Sequence, residues 1–336
     1  MACAWLAASL TLLGCSPTPT STSPSPDVRV SASPAAHPSQ VPHLSHVAMV
    51  VLENTTYEHA LHDPTFAALA ARGALLRRYY AVAHHSLPNY LALTSGATAT
   101  DKTRGDCPKF DCLVSDPSLA TQLDAAGLSW KGYFGATTEP CRTPVPGQED
   151  PYQKGYVTHH NPFAYYPALG ANPSGGTPAC QAHLRPLGEL GDDAGGGKLP
   201  NFAMLVPDSC EDGHDGPCAD GRPGGVKTAG QWVTGAVNAV TKSPSWGANS
   251  AFVILFDESD ASDNTGCCGQ SQGGGRVAAV VLSGMISPGT VSDHPYDHYS
   301  MLRTIEDGLG LAGHLGGAGT PTVESITDVW KTPPSP

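Results

Sequence analysis

Acidic and amide side chains follow two apolar runs of the chain. One run of six apolar residues ends in Glu53 and Asn54, and a second ends in Asp257 and Glu258. If both runs are parallel strands of one sheet, their carboxyl ends meet at the edge where open α/β sheets bind ligands. Three carboxylates and an amide at that edge suit Ca²⁺, Mg²⁺, Mn²⁺ or Zn²⁺. Each pair taken alone is equally consistent with helix capping or a turn.

A serine lies at the predicted start of a helix, directly after two histidines. The residues after Ser86 follow helical spacing, and Gly96 is a natural C-terminal stop. Ser86 is therefore predicted at or next to the N-cap, where free N–H groups and the helix dipole form an anion site. Capping is the ordinary role of such a serine. The neighbouring His84 and His85 and the acidic edge favour a nucleophile instead.

Histidines beside acidic residues occur in two further segments. The apolar run Phe202–Val206 leads into a loop that contains Asp212, His214 and Asp215. Near the C-terminus, His294 and His298 precede a predicted helix. Histidine is the usual general acid near neutral pH and the commonest metal ligand. Histidines in tether, helix or tail contexts are predicted to face solvent, namely His37, His43, His59, His62 and His314.

The elements that must position these residues alternate between strand and helix. Short apolar runs predict strands buried on both faces at His46–Leu52, Leu128–Phe134, Phe202–Val206, Ala251–Phe256 and Val277–Leu282. Helical patterns lie at Phe66–Leu76, Leu119–Ala126, Ala229–Val240 and His298–Leu309. This alternation predicts an α/β sandwich, with Gly/Pro-rich loops over one end of the sheet.

Composition excludes several classes of protein. The 336 residues carry 18 Lys and Arg against 30 Asp and Glu, a formal charge of −12. That balance argues against a nucleic-acid partner, because phosphate-backbone binding needs clustered cations. No apolar run reaches the roughly 18 residues that a transmembrane helix needs.

The N-terminal region predicts export. Residues 1–15 hold a short apolar run of signal-peptide length, and its end at Cys15 resembles a bacterial lipobox, although no Lys or Arg precedes it. Lipidation of Cys15 would anchor the chain to a membrane, and an ordinary cleaved signal is the alternative. Residues 16–43, rich in Ser, Thr and Pro, are predicted to be an extended tether, and residues 44–332 a catalytic domain. The protein is predicted to be secreted or extracytoplasmic.

Cysteine usage agrees with an oxidising compartment. Eight cysteines remain outside the predicted signal, an even number, and all lie in predicted loops. Spacing favours the pairs Cys107–Cys112 and Cys210–Cys218, followed by Cys141–Cys180. The neighbours Cys267 and Cys268 form either an adjacent bridge or pairs elsewhere. A cysteine-rich zinc site is the alternative, although the domain has no two cysteines with two other residues between them.

Five segments in order resemble the bacterial phosphoesterase family of secreted acid phosphatases and phospholipases C, in the alkaline-phosphatase-like superfamily. The matching segments are His46–Asn54, His84–Gly96, Pro200–Asp215, Phe256–Glu258 and Tyr296–Asp307. The resemblance implies an α/β three-layer sandwich with a mostly parallel central sheet flanked by helices. The chain departs from the family pattern at two places. Residue 85 is histidine where the family usually has proline. The acidic residue that follows Glu53 and Asn54 in the common pattern corresponds here to the Tyr57–Glu58 region.

The resemblance also implies roles for individual residues. Ser86 would be the nucleophile that forms a phosphoserine, with His214 and His298 as further catalytic residues. One divalent metal would be held by Glu53, Asn54, Asp257 and Glu258. A second metal on Asp212, His214 and His298 is an open alternative, since related proteins use two. Residues predicted to contact phosphate or substrate, or a second metal, are His84, Asn89, Asp212, Asp215 and His294.

The predicted function is hydrolysis of a small-molecule phosphate monoester by an exported, metal-dependent enzyme. A phospholipase C or other phosphodiesterase on the same site is the alternative, because loop aromatics around Tyr152–Tyr166 could bind acyl chains of a phospholipid. The domain ends soon after its last motif, which favours the monoesterase. A surface lipoprotein that binds metal or phosphate without turnover is the alternative of another class.

Overall fold

The chain, described by a computed structural model, has defined positions for residues 41–115 and 117–331. The predicted signal at 1–15 and nearly all of the predicted tether at 16–43 lie outside the described residues. In the described part, no helix combines the length and the hydrophobicity that crossing a bilayer requires.

The described strands are β1 (Val47–Leu52), β2 (Ala74–Tyr80), β3 (Trp130–Phe134), β4 (Gln153–Lys154), β5 (Tyr156–Val157), β6 (Leu184–Pro186), β7 (Phe202–Val206), β8 (Ala251–Phe256), β9 (Arg276–Ser283), β10 (Thr290–Ser292) and β11 (Tyr296–Asp297). The described α-helices are α1 (Tyr57–His62), α2 (Pro64–Ala71), α3 (Ser86–Ser95), α4 (Leu119–Ala125), α5 (Pro178–His183), α6 (Leu190–Gly195), α7 (Gly225–Thr241) and α8 (His298–Leu309). Short 3₁₀ turns lie at Thr103–Gly105, Thr158–His160, Pro162–Tyr165, Pro167–Leu169, Leu187–Glu189 and Gly316–Gly319.

A mostly parallel sheet organises the described residues. Its strand order is β10-β2-β9-β8-β1-β7-β3-β6, and β11 also pairs with β2. The central strand β1 pairs in parallel with β8 on one side and β7 on the other. Strand β9 is antiparallel to both of its neighbours, β2 and β8. The predicted mostly parallel sheet is confirmed.

Helices cover both faces of this sheet. On one face of β8, Phe256 packs against Phe66 of α2, with ring centroids 5.3 Å apart. On the other face, Val253 lines a small apolar gap with Met301 and Ile305 of α8. Residues three apart on a strand point to opposite faces, so α2 and α8 lie on opposite sides of the sheet. Helix α2 packs on α7, and α3 packs on α8, which completes the predicted three layers.

The five predicted strands are all present, with ends shifted by at most two residues, and the helix predicted at residues 66–76 is present but ends five residues earlier than predicted. The chain forms α2 at Pro64–Ala71 and then β2 at Ala74–Tyr80. Asp63 caps α2 by accepting from Thr65 N–H at 2.8 Å, and Pro64 suits its first turn. After α2, Gly73 lies so close to β9 that a Cβ would come 2.2 Å from Val281 O. The apolar residues beyond it therefore pair with β9 instead of continuing the helix.

All eight cysteines of the described residues form disulfides. The three predicted pairs are confirmed as Cys107–Cys112, Cys141–Cys180 and Cys210–Cys218. Cys267 and Cys268 bridge each other, which resolves the alternative left open by the sequence. These sulfurs are therefore committed to disulfides and not to a zinc site. Such pairing is typical of proteins in oxidising compartments.

A buried acid in α8 makes stability depend on pH. Burial raises the pKa of Glu306 to about 8, while its Oε1 accepts from Leu315 N–H at 2.9 Å. Because the folded-state pKa lies above the value of 4.5 for a free side chain, stability falls as pH rises from 4.5 to 8. In Glu306→Gln the acceptor remains and no ionisation occurs. We expect this variant to be more stable than the wild type at pH 8 by about 1–2 kcal/mol.

Urea unfolding at several pH values between 5 and 9 measures this difference, which should shrink toward pH 5. Glu149→Gln, at an exposed position, is the matched control and should follow the wild type throughout. If Glu306→Gln also follows the wild type at every pH, Glu306 ionises normally in the folded protein.

Candidate active site

The acidic residues after β1 and β8 meet at the carboxyl edge of the sheet. The parallel register pairs Leu52 with Phe256, so the two loops leave the sheet side by side. Asn54 donates from Nδ2 to Glu258 Oε1 at 3.0 Å, and from its backbone N–H to Asp257 Oδ1 at 3.0 Å. Asn54 has a φ of 30°, in the left-handed region that asparagine tolerates. The three acids are buried.

Ser86 joins this acidic group from a third element. Strand β2 leads through residues 81–85 into α3, of which Ser86 is the first residue. The Ser86 hydroxyl donates to Glu53 Oε2 at 3.0 Å and lies 3.5 Å from Glu258 Oε1. His85 occupies the N-cap position, so Ser86 lies one residue inside the helix. The hydroxyl thus contacts acids that follow two neighbouring strands.

Asn89 holds the loop that delivers Ser86. Its Oδ1 accepts from the backbone N–H groups of Val82 and Ala83 at 3.0 and 3.1 Å. Its Nδ2 donates to the carbonyls of Ala83 and His85 at 2.8 and 2.9 Å. The buried amide is committed to backbone groups, so the structure gives Asn89 the role of fastening the loop rather than contacting substrate.

The N-terminus of α3 is partly occupied by the protein itself. Asp106 Oδ1 accepts from Leu87 N–H at 2.9 Å, and Pro88 has no N–H to offer. A carboxylate at a helix N-terminus is stabilised by the same dipole that would attract a phosphoryl group. The helix terminus therefore has fewer free N–H groups for an anion than the sequence predicts.

Two residues that sequence reasoning missed contact Glu53. Tyr90 donates a hydrogen bond from its hydroxyl to Glu53 Oε1. His160 lies with Nε2 3.3 Å from Glu53 Oε2 and stacks on the Tyr90 ring at 5.4 Å between centroids. His160 belongs to the turn Thr158–His160 inside a long Gly/Pro-rich loop. Its only signal in the sequence is the adjacent pair with His159, which resembles the pair before Ser86.

Burial raises the proton affinity of the acids in this cluster. Burial, and then the charges of Asp257 and Asp212, raise the pKa of Glu53 well above its usual value. Burial and the neighbouring Glu258 raise the pKa of Asp257 in the same way. The hydrogen bond to Glu258 raises the pKa of His84. Keeping three carboxylates ionised in one buried place costs free energy unless a positive charge lies beside them.

The donor set fits a divalent cation. Asp257 Oδ2 is buried and has no hydrogen-bond partner among the described residues. Its other oxygen already accepts from the N–H groups of Asn54 and Glu258. Together with Glu53 and the Asn54 amide, the acids offer oxygen ligands from two neighbouring strand ends, as hard cations prefer. His84 lies beside the set through its bond to Glu258.

The loop after β7 adds one buried acid and two exposed groups. Glu53 N–H donates to Asp212 O at 2.8 Å, and Asp212 Oδ1 accepts from the N–H groups of His214 and Asp215 at 2.9 and 3.0 Å. Burial raises the pKa of Asp212 to about 7. The side chains of His214 and Asp215 are about half exposed and lie 3.5 Å apart. Asp212 therefore supports Glu53, and the other two lie at the surface near the acids.

His298 does not fit the catalytic role predicted for it. It is fully buried behind Asp257, with Nε2 2.6 Å from Asp257 O and Nδ1 3.0 Å from the Tyr79 hydroxyl. Burial lowers its pKa to about 4. Both ring nitrogens are engaged, so His298 holds the end of β8 and is free neither to donate to substrate nor to bind metal. The alternative of a second metal on Asp212, His214 and His298 loses one of its ligands.

His294 lies apart from the cluster. It precedes β11, which pairs with β2, and its Nε2 is 3.0 Å from Glu324 Oε2. No contact in the described part of the chain joins it to Ser86 or the acids, because the chain turns between His294 and α8. The structure therefore does not place His294 with the residues of the predicted substrate or metal site. Of the histidines predicted to face solvent, His37 lies outside the described residues, His314 pairs with Asp307 at 2.8 Å, and exposed positions belong to His43, His59 and His62.

Residues 56–312 match the Phosphoesterase family, and the chain belongs to that family. The resemblance drawn from the sequence is confirmed. The match covers the loops and helices that carry Ser86, Asp257 and Glu258.

The names of curated relatives agree with this family assignment. The chain is 27% identical to a probable acid phosphatase of Kluyveromyces lactis, over 80% of this chain and 58% of that protein. It is also 27% identical to a phosphatidylinositol-3-phosphatase of Mycobacterium tuberculosis, over 87% of this chain and 85% of that protein. The chain therefore spans little more than half the length of the fungal acid phosphatases that it matches.

Solved structures show the fold. A protein of the alkaline phosphatase superfamily from Vibrio parahaemolyticus superposes with a TM-score of 0.55 at 14% identity, over 84% of this chain and 72% of that one. A lipoteichoic acid synthase from Listeria monocytogenes superposes with a TM-score of 0.51 at 12% identity, over 85% and 76% of the two chains. The predicted alkaline-phosphatase-like sandwich is confirmed.

Proposed function

We propose that this protein is a metal-dependent phosphomonoesterase that acts through a phosphoserine on Ser86. The observation that carries the proposal is the position of the Ser86 hydroxyl, which donates to Glu53 at 3.0 Å and faces Glu258 at 3.5 Å. A serine that only caps a helix has no need of two buried acids at its hydroxyl. Membership of the Phosphoesterase family supports the reaction class.

In the first step, the attack of Ser86 on phosphorus, Glu53 and a bound cation would have different roles. Glu53 Oε2 already accepts the hydrogen bond of the Ser86 hydroxyl, so it is placed to take that proton as the Oγ–phosphorus bond forms. A divalent cation held by Glu53, Asn54, Asp257 and Glu258 would supply Lewis-acid stabilisation of charge on the phosphoryl oxygens.

Positioning residues keep this geometry fixed. Asn89 fastens the loop before Ser86, and His298 fastens the backbone at Asp257. Tyr90 orients Glu53 by its hydroxyl. His160 and His214 lie at the outer side of the acids, where an imidazole can activate the water that cleaves the phosphoserine.

Four aromatics of the long loop lack the exposure that binding acyl chains would require. Tyr156, Phe163, Tyr165 and Tyr166 are all buried in the core. They therefore pack the loop and do not form a surface for acyl chains. The relatives named acid phosphatase and phosphatidylinositol-3-phosphatase support a phosphate monoester as the bond that is cleaved.

We also propose that the protein is exported and that Cys15 is the site of an anchor. The four disulfides of the described residues support an oxidising compartment. The apolar run before Cys15 in the sequence supports the export signal.

Hydrolysis of three esters, with Ca²⁺, Mg²⁺, Mn²⁺ and Zn²⁺ each supplied alone, tests the proposed function. We expect kcat/KM to be at least about 100-fold higher for p-nitrophenyl phosphate than for bis-p-nitrophenyl phosphate or phosphatidylcholine, because the proposed reaction is hydrolysis of a phosphate monoester. A preference for phosphatidylcholine would show a phospholipase C instead. Binding of metal or phosphate with no turnover of any ester would show a non-catalytic surface protein.

A further inference from the structure

We propose that His85 is a catalytic residue that protonates the leaving oxygen of the ester, and that Asp106 is its positioning residue. This inference rests on the proposed phosphomonoesterase activity and concerns two side chains outside the cluster of acids. His85 directly precedes Ser86, and its Nδ1 lies 3.8 Å from Asp106 Oδ2. A histidine beside a carboxylate and next to a nucleophile is an arrangement suited to proton transfer.

The structure of the helix does not account for His85. It occupies the N-cap position of α3, where serine, threonine, aspartate or asparagine is favoured, and its side chain makes no capping bond. Its carbonyl is held by Asn89 Nδ2 at 2.9 Å, so its backbone is fixed. Its imidazole is 67% exposed and contributes nothing to the core. The His85 backbone is therefore fixed while its imidazole is open to solvent, as suits a proton donor that regains its proton from water.

Asp106 is held rigidly enough to position that imidazole. Its Oδ1 accepts from Leu87 N–H at 2.9 Å, which ties it to the first turn of α3. It adopts a left-handed conformation with φ of 54° and is followed by Cys107, which is bridged to Cys112. Burial raises its pKa, and the charges of His159 and His85 oppose that rise. One carboxylate therefore fixes the helix that carries Ser86 and lies beside the His85 ring.

The imidazoles of His159 and His160 are less open to solvent than that of His85. His159 and His160 lie on one 3₁₀ turn, with rings 4.6 Å apart at right angles. The His160 side chain is only 12% exposed, so it exchanges protons with solvent less readily than the His85 ring does. Because His85 is open to solvent, it can recover a proton from water after each turnover.

The step balances as follows. The Ser86 Oγ–phosphorus bond forms while the bond from phosphorus to the leaving oxygen breaks, and the hydroxyl proton passes to Glu53 Oε2. The proton on His85 passes to the leaving oxygen, so an alcohol departs in neutral form. Solvent then returns a proton to His85. An acidic leaving group such as p-nitrophenol needs no such donor, whereas an alkyl alcohol does.

Two conservative variants test the pair on two esters, p-nitrophenyl phosphate and glycerol 2-phosphate. His85→Gln keeps size and polarity but cannot donate a proton, and we expect kcat/KM to fall by about 100-fold on glycerol 2-phosphate and by less than about 3-fold on p-nitrophenyl phosphate. Asp106→Asn keeps an acceptor for Leu87 N–H and loses only the charge. We expect its kcat/KM on glycerol 2-phosphate to fall by about 10-fold, again with little change on p-nitrophenyl phosphate.

Asp111→Asn is the matched control, since Asp111 is exposed on the same disulfide loop and pairs with Lys102 at 2.7 Å, away from Ser86. It should behave as the wild type on both esters. Equal losses on the two esters, or no loss, in His85→Gln would overturn the proposal. So would an Asp106→Asn protein that melts earlier but keeps the wild-type ratio of the two rates, because Asp106 would then only cap α3. Failure of the wild type to hydrolyse either ester would refute the proposed function itself, and the pair with it.

Discussion

Ser86→Ala is expected to lower kcat on p-nitrophenyl phosphate by at least about 1,000-fold. The hydroxyl is the only group of the described residues that donates to Glu53 Oε2 while lying within 3.5 Å of Glu258 Oε1. Without it, no oxygen is placed to accept the phosphoryl group, and water must attack directly. Steady-state kinetics measure the loss, and mass spectrometry after rapid acid quench should detect phosphoserine at residue 86 in the wild type.

Ser95→Ala is the matched control for this experiment. Ser95 is a buried serine on the same helix, and its hydroxyl donates to Leu91 O at 3.0 Å, far from the acids along α3. This variant should keep kcat within about 2-fold of the wild type, because only a helix side chain is altered. Full activity in Ser86→Ala, with no phosphoserine in the wild type, would remove Ser86 from the mechanism.

Asp257→Asn is expected to lower kcat/KM by at least about 100-fold and to abolish metal binding. Asparagine can keep the Oδ1 acceptor for the N–H groups of Asn54 and Glu258, which lie 3.0 and 2.6 Å away. It removes the charge of the carboxylate in this cluster whose second oxygen is buried without a partner among the described residues. Elemental analysis of the purified variant should therefore show less than one tenth of the wild-type metal, about a 10-fold loss.

Thermal unfolding separates loss of metal from loss of structure. After chelator treatment, Asp257→Asn should melt at a higher temperature than the wild type, since burial disfavours the charged carboxylate and the amide carries no charge. Added metal should raise the melting temperature of the wild type alone. Asp260→Asn, at an exposed acid three residues along the loop, should match the wild type in both respects. Equal metal content in Asp257→Asn and the wild type would contradict the assigned ligand set.

The meeting of Glu53 and Asn54 with Asp257 and Glu258 was predictable from the sequence. Both pairs follow apolar runs whose composition is typical of buried parallel strands, and parallel strands end at the same edge. The parallel register of β1 and β8 satisfies that expectation. The pairs Cys107–Cys112 and Cys210–Cys218 were also predictable, because cysteines five and eight residues apart have few other partners within reach.

Other features depended on contacts between distant segments. Strand β2 was predicted as the end of a helix, because its apolar residues fit either element until Gly73 lies against β9. His298 looked like a catalytic histidine in the sequence, yet the packing of α8 buries it between Tyr79 and Asp257. Nothing local to these residues distinguishes the two outcomes.

The alternation of elements, the acids at two strand ends and the serine that begins a helix can be predicted from the residues alone, since they follow from hydrophobic period and from residue type. The side chains that surround that serine are known only from the folded structure. His160 reaches Glu53 from a loop more than a hundred residues further along the chain, and Asp106 reaches α3 from another. The conformations of such loops are selected by long-range packing, and it is that packing which separates the histidines that line the site from those that only support it.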